Sequence, residues 1–194
     1  MKRAPAILLF ALVAGCGSDA PAPPAPPPPA DFTTDEAPPA DSVVFLRGRP
    51  RPARGDGAQE GDRDPDGDGV EAERVTVDVV ARGVGPSVHG AAFRLRWEPE
   101  KLGFVEARAG EAWSSRALTL AREGIPGELV VTWTEKGTGD GFDATGETLL
   151  GALTFTRKSR DGAAIAFRAD RSTLRDPSGR ALTVAWRGGR VPAR

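Results

Sequence analysis

An all-β fold, a jelly-roll or immunoglobulin-like antiparallel sandwich of about nine strands, is predicted by three features of this sequence. Apolar and polar residues alternate with period two in short runs beyond residue 74, as on strands that bury one face. The clearest runs are Val75–Val80, Phe93–Glu98, Leu129–Thr134, Leu153–Thr156, Ile165–Arg168 and Leu182–Arg187. Clusters of Gly, Pro and Asp separate these runs. Helical periodicity is lacking, and one helical turn is predicted, at Glu98–Leu102 with Pro99 in its first position.

The composition limits the classes of function. The 194 residues suffice for one buried core, and a net charge of −1 argues against a nucleic-acid partner. That charge is an average, since residues 1–15 carry +2, residues 16–73 carry −8 and residues 74–194 carry +5. The single cysteine excludes a disulfide or a cysteine-based zinc site within one chain. The single histidine leaves little room for nucleophile–base catalysis.

The first fifteen residues have the pattern of a secretory signal peptide: Lys2 and Arg3 precede an apolar run too short to span a bilayer. The run ends in Val13-Ala14-Gly15-Cys16, which resembles a bacterial lipobox. The resemblance implies that Cys16 becomes the first mature residue, carries acyl chains such as palmitate and anchors the protein in a membrane. Gly17 after the cysteine favours the outer membrane. The alternative is an ordinary signal peptide with a chance cysteine.

Residues 16–40 are predicted to be a disordered tether, because residues 21–40 hold nine of the 18 prolines. Proline fixes φ and removes the amide donor, so the stretch is expected to be extended polyproline II. A ligand for an SH3-type domain is the alternative to a spacer. The sandwich is assigned to residues 41–194, with a first strand at Ser42–Leu46 and an acidic insertion at about 48–73.

The insertion fits a calcium-loop pattern of alternating carboxylates, a glycine and a closing glutamate. The predicted calcium ligands are Asp62, Asp64, Asp66, Asp68 through its carbonyl, and Glu73. Gly69 stands where an apolar residue is usual, and no helical pattern flanks the loop, so the match is closer to isolated bacterial DxDxDG loops than to an EF-hand pair. The alternative is a solvated acidic linker.

Three motifs, in order along residues 74 to about 191, resemble the cohesin family. They are Gly90-Ala91-Ala92-Phe93-Arg94-Leu95-Arg96-Trp97-Glu98-Pro99-Glu100-Lys101-Leu102-Gly103-Phe104-Val105, then Glu147-Thr148-Leu149-Leu150-Gly151-Ala152-Leu153-Thr154-Phe155, then Leu174-Arg175-Asp176-Pro177-Ser178-Gly179-Arg180-Ala181-Leu182. The resemblance implies a nine-stranded jelly roll, related to some carbohydrate-binding modules, that holds a dockerin through one sheet face. The acidic insertion departs from the family pattern, and the family's partner contacts form no motif that can be carried over.

Candidate catalytic residues are scarce, so no enzyme activity is expected. His89 is the one imidazole, at a predicted strand start, and the acidic pairs outside the insertion lie in turns. Trp97, Trp133 and Trp186 are in phase with apolar strand positions and are expected in the core. Trp113 lies outside a clear alternation and is therefore the candidate sugar platform.

Four arginines fall on strand faces opposite the apolar sets: Arg94, Arg96, Arg168 and Arg187. If neighbouring strands bring them together, they form a basic stripe for an acidic partner, an anionic polysaccharide or membrane head groups. Ordinary surface charge is one alternative, and pairing with the chain's own acidic segment is another.

The sequence thus predicts a lipid-anchored envelope protein that displays a non-catalytic cohesin-like module for a dockerin-like protein partner. A polysaccharide-binding module on the same scaffold, linked to polysaccharide degradation, is the main alternative. An envelope enzyme is a remote third.

Overall fold

The computed structural model describes residues 31–35, 42–49 and 73–194, which form thirteen β-strands and one short 3₁₀ turn. The strands are β1 (Thr33–Thr34), β2 (Val43–Gly48), β3 (Arg74–Arg82), β4 (Gly90–Trp97), β5 (Leu102–Ala109), β6 (Leu118–Ile125), β7 (Glu128–Thr134), β8 (Thr148–Arg157), β9 (Ala163–Phe167), β10 (Thr173–Arg175), β11 (Ala181–Leu182), β12 (Ala185–Arg187) and β13 (Gly189–Val191). The 3₁₀ turn spans Ala169–Arg171. No helix in the described part of the chain is long and apolar enough to cross a membrane.

Two sheets pack face to face. The eight-stranded sheet contains β6, β7 and β4 in that order, and the far edge of β4 pairs with both β9 and β10. Strands β13 and β1 follow β9, and β11 follows β10. The five-stranded sheet has the order β12-β2-β3-β8-β5, in which β12 runs parallel to β2. The all-β sandwich predicted from the alternation is therefore confirmed.

The core lies between the sheets and is made by the apolar sets that the alternation identified. Phe93 on β4 meets Trp133 on β7 edge to face, with ring centroids 5.3 Å apart. Trp97 meets Phe155 on β8 in the same way across the two sheets, also at 5.3 Å. Edge-to-face contacts of this kind add to the stability that burial provides. The predicted core positions of Trp97 and Trp133 are confirmed, and Trp186 is partly buried against the same cluster.

The predicted helical turn at 98–102 is one hydrogen-bonded turn. The amides of Lys101 and Leu102 both donate to the carbonyl of Glu98 at 3.0 Å. A side-chain ion pair between Lys101 and Glu98 closes the same turn at 2.6 Å. Pro99 has no amide to lose in that position, so it fits the first position of the turn.

The third cohesin-like motif forms the turn between β10 and β11, and Asp176 organises it. Its carboxylate accepts hydrogen bonds from the Ser178 hydroxyl at 2.6 Å and from the amide and Nε of Arg180 at 3.0 and 2.8 Å. The Ser178 hydroxyl, followed by Arg180, holds the pKa of Asp176 down at about 2, so the carboxylate stays charged. Gly179 has φ of 81°, a backbone conformation that side chains disfavour.

The tether predicted for residues 16–40 is wrong at residues 31–35, which are part of the sandwich. We call residues 31–35 the strap. Its strand β1 pairs with β13, and Phe32 is buried in the core. The Thr34 hydroxyl donates to the carbonyl of Leu46 on β2 at 2.6 Å, so the strap bridges both sheets. The proline-rich composition around the strap indicated a tether, and its partner strand β13 lies too far along the chain to be recognised from the local sequence.

Candidate protein-binding face

The outward side of the eight-stranded sheet is built by three long neighbouring strands, β6, β7 and β4. Phe93 and Leu95 of β4 point into the core, so Ala92, Arg94 and Arg96 point outward. Strand pairing carries the same alternation across the sheet, since residues directly opposite each other share a face. We call this surface the outer face. Its residues on β6, β7 and β4 are Leu118, Leu120, Arg122, Glu128, Val130, Thr132, Thr134, Ala92, Arg94 and Arg96.

One half of the outer face exposes two leucines. Leu118 and Leu120 on β6 are 53% and 56% exposed. They lie opposite Thr134 and Thr132 of β7, and Thr132 in turn lies opposite Ala92 of β4 on its other side. We call Leu118, Leu120, Thr132, Thr134 and Ala92 the leucine half. Its small neighbours leave the two leucine side chains standing above a flat, hydrogen-bonded surface.

The other half of the outer face gathers arginines around Glu128, the first residue of β7. The Glu128 carboxylate accepts from Arg94 Nη1 at 3.0 Å and from Arg96 Nε at 2.9 Å, and Arg168 Nη1 lies 3.7 Å away. The hydrogen bond from Arg96, followed by that from Arg94, lowers the pKa of Glu128, so the buried carboxyl stays ionised. We call Arg94, Arg96, Arg168 and Glu128 the arginine half.

The structure brings together three of the four arginines of the predicted stripe, and places the fourth elsewhere. Arg187 lies on β12, an edge strand of the five-stranded sheet. Its Nη1 donates to the carbonyl of Trp186 at 3.3 Å. The prediction is therefore wrong for Arg187, because alternation along a strand gives the face of a residue but not the sheet to which its strand belongs.

The expectation that Trp113 is an exposed sugar platform is also wrong. Its side chain belongs to the core cluster, with 6% of the residue exposed, and packs edge to face on Phe142 at 4.7 Å. The indole Nε1 donates to the carbonyl of Leu150 at 2.7 Å. The loop after β5 folds over the end of the sandwich and inserts the ring, so neither face of the indole is free. The large exposed apolar side chains in the described ranges are all aliphatic: Val105, Leu118, Leu120 and Ile125.

A groove of about 620 Å³ opens between the start of β5 and the β6–β7 hairpin, and Phe104 and Ile125 contribute apolar atoms to it. Two of its charged side chains are already bonded within the fold. Lys158 Nζ donates to the carbonyl of Pro99 at 2.8 Å, and the Glu123 carboxylate accepts from the amide of Gly127 at 3.0 Å. The charged side chains of the groove are therefore engaged in bonds that hold the surrounding loops.

Of the predicted calcium ligands, Asp62, Asp64, Asp66 and Asp68 lie outside the described residues, as does Cys16. Glu73 begins the described chain before β3, and its carboxylate is bound to two arginines. Arg157 Nε lies 3.4 Å from one oxygen and Arg194 Nη2 lies 2.5 Å from the other. Within the described ranges, no group of three acidic, His or Cys side chains is arranged to hold a metal. Calcium binding at 62–73 stays a prediction.

His89 precedes β4 and takes part in the sheet through its backbone. Its amide donates to Arg175 at 2.8 Å and its carbonyl accepts from Glu135 at 2.9 Å. The imidazole Nδ1 is buried and has no hydrogen-bond partner within the described part of the chain. This position beside a strand end is the one expected of a structural histidine.

Sequence reasoning missed the two exposed leucines and Glu128. The segment Leu118-Thr119-Leu120-Ala121 does alternate, but it is short and lies outside the three family motifs. Glu128 follows a turn glycine, where an acidic residue usually indicates a solvated turn. The signal for Glu128 was its register with Arg96, which only strand pairing reveals.

Comparisons with known proteins define the class of this fold. No protein-family model matches the chain, and no curated protein matches it by sequence. Solved structures do match. The sixth cohesin of scaffoldin B from Acetivibrio cellulolyticus, solved with a dockerin, superposes with a TM-score of 0.56 at 18% identity, covering 63% of this chain and 90% of the cohesin.

Two further structures agree. A type I cohesin–dockerin complex of Clostridium thermocellum matches with a TM-score of 0.54 at 11% identity, covering 61% of this chain and 83% of the matched chain. The cohesin CaCohA2 of Clostridium acetobutylicum matches with a TM-score of 0.52 at 14% identity, covering 61% and 80%.

The fold and the open sheet face therefore place the domain among two-sheet jelly-roll sandwiches. Within that class the fold is similar to that of cohesin domains, as the three sequence motifs predicted.

Proposed function

We propose that this protein is a lipid-anchored envelope protein whose cohesin-like domain is a non-catalytic module that binds a protein partner through the outer face. The observation that carries the proposal is the pair of half-exposed leucines, Leu118 and Leu120, on a flat sheet surface. Covering the exposed half of each leucine contributes roughly 1 kcal/mol to the free energy of binding. The buried centre of a protein interface is more apolar than the rest of the protein surface.

A dockerin-like module is the partner class that we propose. The similar structures from Acetivibrio cellulolyticus and Clostridium thermocellum are cohesins in complex with dockerins. The outer face presents three adjacent strands of seven or eight residues, held in register by β4–β7 and β6–β7 pairing.

The binding test replaces both leucines with serine. Leu118→Ser/Leu120→Ser is expected to weaken binding to a dockerin, found by screening a panel of purified dockerins, by at least about 20-fold, because two buried apolar contacts are lost. The matched control is Val105→Ser, which alters an exposed aliphatic residue of β5 in the other sheet. Calorimetry and thermal unfolding are measured on all three proteins.

The control is expected to bind within two-fold of wild type. Equal loss in both variants, or a dockerin that binds the leucine variant at full strength, would contradict the face. If instead no dockerin binds and polysaccharides retard the protein in affinity electrophoresis, the polysaccharide-binding alternative is favoured.

The anchor is proposed from the lipobox-like sequence before Cys16. Metabolic labelling with palmitate is expected to label the wild-type protein and to leave Cys16→Ala unlabelled, with the protein then released from the membrane fraction. Cys16→Ser should behave in the same way, because serine is nearly the same size but lacks the sulfur through which the lipid is attached. Labelling that persists in both variants would contradict the lipid anchor. Fractionation of the wild-type protein away from the outer membrane would contradict the proposed location.

A further inference from the structure

The arginine half carries more positive charge than its own carboxylates balance. Arg94, Arg96 and Arg168 share Glu128, and Arg168 also holds the exposed Asp170 through Nε and Nη2 at 3.2 and 3.0 Å. Arg122 of β6 stands in the same row, because Val130 pairs with Arg122 on one side and with Arg94 on the other. Four guanidinium groups therefore face two carboxylates on one surface.

Two of these guanidinium groups are accessible and only partly used. The side chains of Arg94 and Arg96 are 40% and 54% exposed. Arg94 uses Nη1 and Arg96 uses Nε toward Glu128, and their other guanidinium nitrogens make no hydrogen bond within the described part of the chain. A guanidinium offers five donors in a planar fork that fits a carboxylate.

Glu128 keeps these donors in place. It is buried at the start of β7, and the β4–β7 register sets it opposite Arg96. Because a fixed carboxylate holds the guanidinium groups before a ligand arrives, less side-chain freedom is lost on binding.

We infer that the arginine half receives acidic side chains of the protein partner while apolar side chains of the same partner cover the leucine half. This inference rests on the proposed protein-binding function and names the chemistry of the partner: a folded protein surface with an apolar centre and carboxylates on one side. Arginine forks bind such carboxylates in pairs of parallel hydrogen bonds.

The leucine half decides between a protein and a polyanion. A sulfated polysaccharide or a lipid head group would satisfy the arginines but would leave Leu118 and Leu120 without apolar contacts. The large apolar side chains exposed in the described ranges are aliphatic, so no aromatic platform for sugar stacking accompanies the charge. A protein surface supplies both kinds of contact.

The test uses a phage-displayed library of a small helical domain, randomised on one face and selected on the immobilised wild-type protein. Clones that lose binding to Leu118→Ser/Leu120→Ser are kept, because they cover the leucine half. These clones are expected to be enriched in Asp and Glu, and to bind Arg94→Gln/Arg96→Gln/Glu128→Gln about 10-fold or more weakly. Glu128 is substituted together with the two arginines, because otherwise its buried carboxylate would be left without a partner. Thermal unfolding verifies that the variant is folded.

The matched control is Arg47→Gln/Arg108→Gln, which removes two arginines from the five-stranded sheet. The kept clones should bind this control with an affinity within about two-fold of that for wild type. Raising the salt concentration from about 0.05 to 0.5 M should weaken their binding to the wild-type protein several-fold. If no clone is lost in the leucine variant, the proposed face itself fails. If clones are lost there but are not acidic, or bind the triple variant normally, the face stands and the inference fails. The inference would also be overturned if heparin or phosphatidylglycerol vesicles bound the wild-type protein more tightly than the kept clones do, and if that binding required Arg94 and Arg96.

Discussion

Phe32→Ala is expected to lower the free energy of unfolding by about 3 kcal/mol, although the residue lies in a segment whose composition predicts a tether. The side chain is buried, with its ring against Gly189 of β13 and its Cβ and carbonyl against Gly48 of β2, where a larger residue would collide with it. Removing it takes away apolar burial and leaves a cavity under the strap. Urea denaturation measures the loss, and hydrogen exchange at the Asp35 amide, which donates to Gly188 at 3.0 Å, reports release of the strap.

Two variants make this result specific. Thr33→Ala changes an exposed residue of the same strand and should stay within about 0.5 kcal/mol of wild type. Gly189→Val places a side chain where the Phe32 ring lies, so it should expel the strap and reproduce the faster exchange at Asp35. If Phe32→Ala were as stable as Thr33→Ala, the strap would not be part of the folded domain.

Trp133→Ala is expected to have the largest effect on stability, a loss of about 4 kcal/mol. The indole is almost fully buried, meets Phe93 edge to face and lies directly over Gly151 of the opposite sheet. That glycine is needed because a Cβ there would collide with both the Trp133 ring and the carbonyl of Arg108. The ring thus sets the spacing of the two sheets at this point, and nothing nearby can fill its volume. Chemical denaturation gives the change in free energy.

Leu120→Ala is the control for Trp133→Ala, because it removes a large apolar side chain of the neighbouring strand β6 that lies on the outer face and is more than half exposed. It should change stability by no more than about 0.5 kcal/mol. A Trp133→Ala loss below about 2 kcal/mol would show that the sheets close over the cavity, and would contradict a rigid spacing.

Alternation predicted the strands that bury one face, and it failed where that condition fails. β4, β7 and β8 were found because every second residue enters the core. β6 is exposed almost throughout, since it is the edge strand and extends past the cover of the other sheet, so no buried set marked it. β1 was hidden because its partner, β13, is over 150 residues away in sequence. The register between strands that are distant in sequence cannot be read from the local pattern of either strand.

The same limit explains the site. The outward phase of Arg94 and Arg96 could be read from β4 alone, but their meeting with Glu128 depends on the β4–β7 pairing. Arg187 has the same phase and lies in the other sheet. Trp113 broke the alternation because it lies in a loop, and loops over the end of a sandwich also bury aromatic rings.

The ion pairs around Glu73 join distant segments of the chain at one end of the sandwich. Arg194 contacts both Asp31 and Glu73, at 2.7 and 2.5 Å, so the strap, the start of β3 and the last residue of the sequence meet at one end of the sandwich. The register through β13, β9 and β4 puts Arg96 nearer that end than Leu118. The arginine half therefore borders the end of the sandwich where the strap and the last residue meet, and the leucine half lies toward the opposite end.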